Sequence, residues 1–317
     1  MKKLIFLITL TILIAACTPG QVRTIPQPTP VHTGTQGVVF IPMRDAPPAK
    51  IIESTSVPLA FRIENRGAYD IEYGRYWLGG ISEEYFTVSD EDTFVRTGDN
   101  ALGSYNLNGK SKFNPIGGMK VVTRQISAKK LRGTQQISSQ KISPMLCYPY
   151  QTKATINVCI DTDPFNPMPT RVKVCDYKNA IPLTGGQGGP LVITSVETRM
   201  IQSTKTKNAF VPQFSIHLQN AGRGRLVKKD NYMDFCEGRA NKDLIGWVTV
   251  TGFLSDQNLN CTTPRVDVAG TSLICTVEQH IPTTRGTYVA PLQITLDYGY
   301  VEHVTPILFD IVPIAPR

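Results

Sequence analysis

The sequence predicts an all-β protein built from two tandem β-sandwiches, and three observations carry that reading. The first is a repeat. Leu146-Cys147-Tyr148-Pro149-Tyr150 returns about 150 residues later as Leu296-Asp297-Tyr298-Gly299-Tyr300, and a β-prone run follows each copy. A second matched pair lies upstream, where the run from Val57 to Asn65-Arg66-Gly67 parallels the run from Val211 to Asn220-Ala221-Gly222. Each reads as a strand closed by an Asn/Gly turn. The second observation is composition: Gly 25 and Pro 23 fit many short strands joined by turns. The third is that no stretch longer than a few residues shows helical periodicity. A chain of 317 residues can hold two domains that each bury a core, and an apolar content of 41% argues against disorder.

The first element is a targeting segment. Lys2 and Lys3 form a positive start, and Leu4 to Ala16 carries no charge. That run spans about 20 Å as a helix, short of the ~30 Å hydrocarbon core, so residues 1–16 read as a signal peptide and not an anchor helix. Its end, Ile14-Ala15-Ala16-Cys17, resembles the lipobox of prokaryotic lipoproteins. The resemblance implies that Cys17 becomes the lipidated first residue and that the protein meets membrane lipid there. The mature chain then has 31 cations against 25 anions, a net of +6. Thr18 does not match the Asp that marks inner-membrane retention in bacteria. The expected location is the bacterial outer membrane or the outside of an archaeal cell membrane. Residues 17–37 hold Cys17 and a Pro/Thr-rich tether that buries too little surface to fold alone.

Residues 38–177 read as the first sandwich. Val38 to Pro42, Val57 to Ile63 and Tyr73 to Leu78 are its opening strands, with Tyr76 and Trp77 on opposite faces and Trp77 a core residue. Residues 100–160 contain nine cations and no Asp or Glu. They include Lys110, Lys112, Lys120, Arg124, Lys129, Lys130 and Arg132, and they read in part as a long basic insertion. Two readings stand. One is a basic surface for anionic lipid or an anionic wall polymer. The other is a solvated loop offset by the acids before it, at Glu83, Glu84, Asp90, Glu91, Asp92 and Asp99. Lys141 to Ile160 reads as a hairpin with its turn near Gln151-Thr152, and Arg171 to Cys175 as a short strand. Asp161, Asp163 and Asn166 offer oxygens to Ca²⁺, but the loop lacks the glycine and terminal Glu of an EF-hand, so Asx-type turns are favoured.

Residues 178–190 form a Gly-rich linker. Its glycines lack the Gly-Lys-Ser/Thr end of a phosphate loop, and Pro190 precedes a β-run. Residues 191–317 read as the second sandwich. Its strands are Leu191 to Thr198, Phe214 to Leu218, Ile245 to Phe253 through Trp247, Tyr288 to Leu296 and Thr305 to Val312, with a hairpin from Cys261 to Cys275 around Ala269-Gly270. Arg223, Arg225, Lys228 and Lys229 read as a hydrated edge. The cysteines after Cys17 are Cys147, Cys159, Cys175, Cys236, Cys261 and Cys275, and an even number in an exported chain argues for disulfides. Three fall in each half, so full pairing needs a bridge between the halves. Spacing suggests Cys159–Cys175 and Cys261–Cys275 as local staples and leaves Cys147–Cys236 by elimination.

No catalytic set stands out. His32, His217, His280 and His303 lie outside any nucleophile-elbow or metalloprotease pattern. There is no Cys-x-x-Cys, so neither a metal nor another cofactor is expected, and no nucleic-acid motif is present. The strands of form V-P-x-x-F-x-I-x-x-N-x-G, closed by Y-x-Y, resemble the CARDB-like branch of immunoglobulin-like domains. The chain is similar to tandem Ig-like surface lipoproteins through Cys147-Tyr148-Pro149-Tyr150-Gln151-Thr152 and Val158-Cys159-Ile160-Asp161. The resemblance implies structural corner roles for Tyr148, Tyr150, Tyr298 and Tyr300, and a spacer, adhesion or subunit-contact function. The expected protein is a non-enzymatic, lipid-anchored surface lipoprotein that touches other envelope proteins. The alternatives are a binding module for an anionic polymer or lipid surface through residues 100–153, and an accessory subunit of an envelope assembly or secretion machine.

Overall fold

The computed structural model describes residues 31–89, 95–96, 101–132, 136–165, 173–177, 180–239, 241–267 and 269–314. The signal segment, Cys17, most of the tether, Asp90, Glu91, Asp92, Asp99, Asn166 and Arg171 lie outside the described residues.

The described chain is mostly β. Its first half holds β1 (Val38–Pro42), β2 (Lys50–Ile52), β3 (Ser56–Asn65), β4 (Ile71–Gly79), β5 (Phe86–Val88), β6 (Val95–Arg96), β7 (Ala101–Leu107), β8 (Met119–Ala128) and β9 (Ile137–Asp161). The second half holds β10 (Ile181–Pro182), β11 (Leu191–Gln202), β12 (Ala209–Asn220), β13 (Arg225–Val227), β14 (Thr249–Leu254) and β15 (Gln257–Cys261). It ends with β16 (Thr271–Val277), β17 (Ile281–Pro282), β18 (Thr287–His303) and β19 (Ile307–Val312). Among the described residues one short α-helix, α1 (Tyr232–Cys236), and three single-turn 3-10 helices interrupt them.

The spine is a two-stranded ribbon. β9 is one strand of 25 residues, about 80 Å if straight. β18 pairs with it from Thr287↔Asp161 to His303↔Met145, and β19 continues from Ile307↔Ile142. This overturns the expected hairpin. Leu146, Tyr148, Tyr150, Thr152, Ala154, Ile156, Val158 and Ile160 all face inward without a break in the alternation. Gln151 and Thr152 offer none of the Gly or Asx chemistry that a tight turn needs, so the period of two runs straight through them.

Sheets build outward from the ribbon. β1-β3-β8-β5 form a four-stranded sheet, while β14 extends the ribbon on the β18 side and β4 and β7 on the β9 side. Phe61 stacks on Phe40 at 4.5 Å and meets Tyr76 edge-on at 5.3 Å, which joins the inner faces of β3 and β4. One apolar core runs from Val38 to Ile311 through both halves.

Several other expectations change. Residues 101–128 are not a loose insertion, because β7 and β8 occupy most of them. In β8 the inward positions are Val122, Arg124, Ile126 and Ala128, so an inward arginine hides the alternation from a hydropathy reading. Tyr76 is buried, and Trp77 is only half-buried because, beyond the irregularity between Ile71 and Gly74, odd positions of β4 face away from the core. Residues 305–312 do not close the second half; β19 pairs with β2 and β9, and Phe309 meets Phe86 edge-on at 5.1 Å. The strand expected from Ile245 begins at Thr249, and Trp247 makes an isolated bridge to Arg265. Lys173 to Tyr177 run without strand pairing.

Candidate functional site

The most elaborate group of side chains sits midway along the ribbon. Register sets Tyr148 opposite Tyr300 and Tyr150 opposite Tyr298, with Pro149 opposite Gly299 between them. Each Tyr-x-Tyr places both rings on one face, so the two copies of the repeat meet as a quartet of fully buried tyrosines. Ring centroids lie 5.6 Å apart for Tyr148–Tyr300 and 5.9 Å for Tyr150–Tyr298. The strands run antiparallel, so a local two-fold relates the copies.

The hydroxyls repeat the same two contacts. The first tyrosine of each pair receives the backbone N–H that opens a half: Val38 donates to Tyr148 at 3.2 Å, and Leu191 to Tyr298 at 3.3 Å. Val38 and Leu191 also pair with the equivalent turn residues, Asn65 and Asn220. The second tyrosine covers the turn that follows. Tyr150 Oη receives the Tyr69 N–H at 3.4 Å and donates to the Gly188 carbonyl at 2.8 Å. Tyr300 Oη receives the Gly224 N–H at 2.9 Å and donates to Asn220 Oδ1 at 3.1 Å. Thr152 Oγ1 gives its proton to the Leu191 carbonyl at 2.9 Å, so the Tyr298 hydroxyl donates to Thr152, also at 2.9 Å.

The two turns are built alike. Asn65 Oδ1 receives the Gly67 N–H and its amide donates to the Tyr69 carbonyl; Asn220 Oδ1 receives the Gly222 N–H and its amide donates to the Gly224 carbonyl. A side chain on either glycine has no room. A Cβ on Gly67 would lie 1.7 Å from Tyr150 Oη, and one on Gly222 would lie 2.1 Å from Tyr300 Oη. The Gly-rich segment closes the arrangement from above. The Gly188 N–H donates to the Gly34 carbonyl, and its own carbonyl receives the Ala68 N–H.

Burial pushes all four tyrosine hydroxyls well above the ordinary phenol value. They stay protonated and act as fixed neutral partners, which is chemistry for holding a fold and not for proton transfer.

The cysteines form Cys147–Cys236, Cys159–Cys175 and Cys261–Cys275. The first pins α1 onto β9 and so joins the halves. Beside it, Tyr232 donates to the Tyr73 carbonyl at 2.8 Å, and its hydroxyl is pushed up to about 12, mainly by burial. Lys229 and Gln151 both reach Asp297 Oδ1, at 2.6 Å and 2.9 Å.

The other candidates separate. Lys112, Lys120, Lys129, Lys130 and Arg132 are exposed and Lys110 is half-buried. Arg124 leaves the expected basic surface: it is 6% exposed and donates to Tyr76 Oη at 3.0 Å. The Asp161 loop carries its own cation. Asp161 Oδ2 meets Lys173 Nζ at 2.7 Å, and its other oxygen receives the Asp163 N–H at 3.0 Å. Burial pushes this carboxyl up, yet Lys173, the Asp163 N–H and Thr287 outweigh it and hold the group below the ordinary carboxylate range. The described residues contain no cluster of three metal-binding side chains.

Two serine–histidine contacts escaped the sequence reading because their partners lie 55 and 77 residues apart in the chain. Ser272 Oγ lies 2.7 Å from His217 Nδ1, whose Nε2 is 3.5 Å from Glu197 Oε1. His217 and Glu197 are both at least 36% exposed on the outer face of β11-β12-β16, so the three form a solvated cross-strand ladder. Ser203 Oγ lies 2.6 Å from His280 Nδ1 and also accepts the Lys205 and Thr206 N–H groups, which makes it a turn former.

The sequence matches no known protein-family model and no curated protein.

Proposed function

We propose that the chain is a membrane-anchored, non-enzymatic surface lipoprotein of two CARDB-like immunoglobulin sandwiches that makes protein–protein or protein–envelope contacts. One observation carries this reading. Of the seven cysteines, six are consumed in three disulfides, and the seventh is Cys17 at the lipobox-like Ile14-Ala15-Ala16-Cys17. Three bridges in one chain suit an oxidising compartment outside the cytoplasm. A body braced across its halves suits a load-bearing or presenting role. The domain division at 38–177, 178–190 and 191–317 belongs to this proposal, with β19 returning to the first half.

The test is mass spectrometry of the N-terminus of protein purified from its own membranes. A diacylglyceryl thioether on Cys17 as first residue is expected; an unmodified Cys17 overturns the anchor. Crosslinking in intact cells tests the contact function. Defined protein neighbours at constant stoichiometry support it, and make the protein an envelope-assembly subunit; links only to itself overturn it.

A second reading, contact with an anionic polymer or lipid surface through 100–153, is favoured by the exposed Lys112, Lys120, Lys129, Lys130 and Arg132. Neutralising Lys129, Lys130 and Arg132 together is expected to weaken polyanion binding and flatten its salt dependence. Unchanged binding removes this reading.

A further inference from the structure

We infer that the loop between β7 and β8 is a membrane-inserting tip, with Phe113 and Ile116 entering an anionic bilayer and Lys110 and Lys112 meeting its phosphates. The inference rests on the lipid-anchor reading and deepens the lipid side of the second one.

The apolar side chains here are bare. Phe113 is 99% exposed and Ile116 70%, and Met119 and Val121 continue the patch along the outer face of β8 at 55% and 51%. An isolated exposed apolar residue is ordinary, but a run of four with a phenylalanine at its tip is the pattern of an interaction site.

The loop holds them out rigidly. Ser111 Oγ receives the Phe113 and Asn114 N–H groups at 3.3 Å and 2.9 Å, and the Ser111 N–H donates to the Asn114 carbonyl at 2.9 Å. Gly117, at φ +85°, has no room for a side chain, because a Cβ would sit 2.0 Å from the Asn65 carbonyl oxygen. Lys110 and Gly118 anchor the two ends to Gly67 and Asn108 through backbone hydrogen bonds of 2.7 Å and 2.8 Å. A tip ordered beforehand loses little entropy on docking.

Charge and chain path choose the occupant. Lys110 and Lys112 flank the apolar tip, whereas Lys120, paired opposite the inward Ile63, turns to the other face of β8 and donates to the Ser104 carbonyl at 3.0 Å. Of the acids nearest to it, Glu64 is held by Arg62 and Arg66, and Asp70 is engaged by the Gly109 N–H at 2.6 Å. The rim therefore favours an anionic surface. The segment leading from Cys17 joins the body beside this loop: the Gly37 carbonyl receives the Arg66 N–H at 2.9 Å, and the carbonyl of the next residue, Gly67, receives the Lys110 N–H. Sixteen residues separate Cys17 from Gly34, which reach about 50 Å when extended. A bilayer holding the lipid on Cys17 is within range of the tip.

The test is full-length Phe113→Trp on phosphatidylglycerol vesicles with brominated acyl chains, with Val289→Trp on β18 as control. Difference emission against the wild-type protein, which removes the signal of Trp77 and Trp247, should show the tip indole shifted to the blue and quenched, and the indole on β18, well along the ribbon from the quartet, aqueous. Lys112→Gln should lower the insertion equilibrium about fivefold, read as the quenched fraction. An aqueous tip indole on vesicle-bound protein overturns the inference. So does a blue shift without lipid, which assigns the tip to a second copy or a protein partner. Mass spectrometry of Cys17 separates the two readings: an unlipidated chain whose tip indole still inserts defeats only the anchor.

Discussion

Gly222→Ala is the sharpest probe of how the fold is closed. The new Cβ would lie 2.1 Å from Tyr300 Oη, 2.9 Å from Pro190 Cβ and 3.0 Å from Tyr300 Cζ. The first distance is far inside contact, so the hydroxyl must leave. It then loses the Gly224 N–H and Asn220 Oδ1, two hydrogen bonds worth about 1 kcal/mol each, and overpacking adds about 2 kcal/mol. The expected cost is about 4 kcal/mol, a large share of the ~5–15 kcal/mol that holds a typical domain. Tyr300→Phe alone loses the same bonds and should cost about 2 kcal/mol. The double variant separates the causes. Without the hydroxyl, the introduced methyl meets only the 2.9 Å and 3.0 Å neighbours, so the pair should cost about 3 kcal/mol and not the additive sum of about 6 kcal/mol. Urea unfolding of the oxidised protein reads all four corners of the cycle. Additivity within ~0.5 kcal/mol would refute the idea that the hydroxyl excludes the side chain. The same cycle at Gly67 and Tyr150 should show weaker rescue, because the Gly188 and Gln36 carbonyl oxygens remain at 2.6 Å and 2.7 Å after the hydroxyl is gone.

Three further outcomes are expected. Removing the cross-half bridge with Cys147→Ala/Cys236→Ala frees a link across 89 residues and should cost about 4–5 kcal/mol on the chain-entropy account, against about 3 kcal/mol for Cys159→Ala/Cys175→Ala; equal losses would contradict the loop-length argument. The buried tyrosines bind protons more tightly folded than unfolded, so stability is intact below the unfolded phenol value near 10 and falls as pH rises above it. Tyrosinate absorbance from Tyr148, Tyr150, Tyr298 and Tyr300 should therefore appear with unfolding and not as a separate step near pH 10. Asp161 has the opposite sign: its lowered folded value contributes stability above about pH 4 that is lost as pH falls through the folded value, so Asp161→Asn should cost about 1–3 kcal/mol at neutral pH and flatten the acid limb of a stability–pH curve.

Much of this protein was legible in its residues. The Tyr-x-Tyr copies and Asn/Gly turns announced that one unit occurs twice, because a side-chain period of two and a turn needing Asn and Gly are local properties. Cysteine parity required a bridge between the halves, and Cys147–Cys236 is that bridge. Local pattern does not name partners. Nothing in Leu-Cys-Tyr-Pro-Tyr says that it lies against Leu-Asp-Tyr-Gly-Tyr, since strand pairing over about 150 residues is decided by which register buries all four rings together. The long β9 was hidden because the polar pair Gln151-Thr152 interrupts the apolar pattern, and only the tertiary structure shows Thr152 bonded to Leu191 and Tyr298 across the core. Arg124 read as surface charge, yet its place opposite Tyr76 turns it inward. Composition determined an all-β, disulfide-braced chain with two copies of one motif. Only tertiary packing decided that the copies face each other across a two-fold, that β19 returns to the first half, and that the Gly-rich segment locks over the tyrosines, because each of these depends on contacts between residues far apart in sequence.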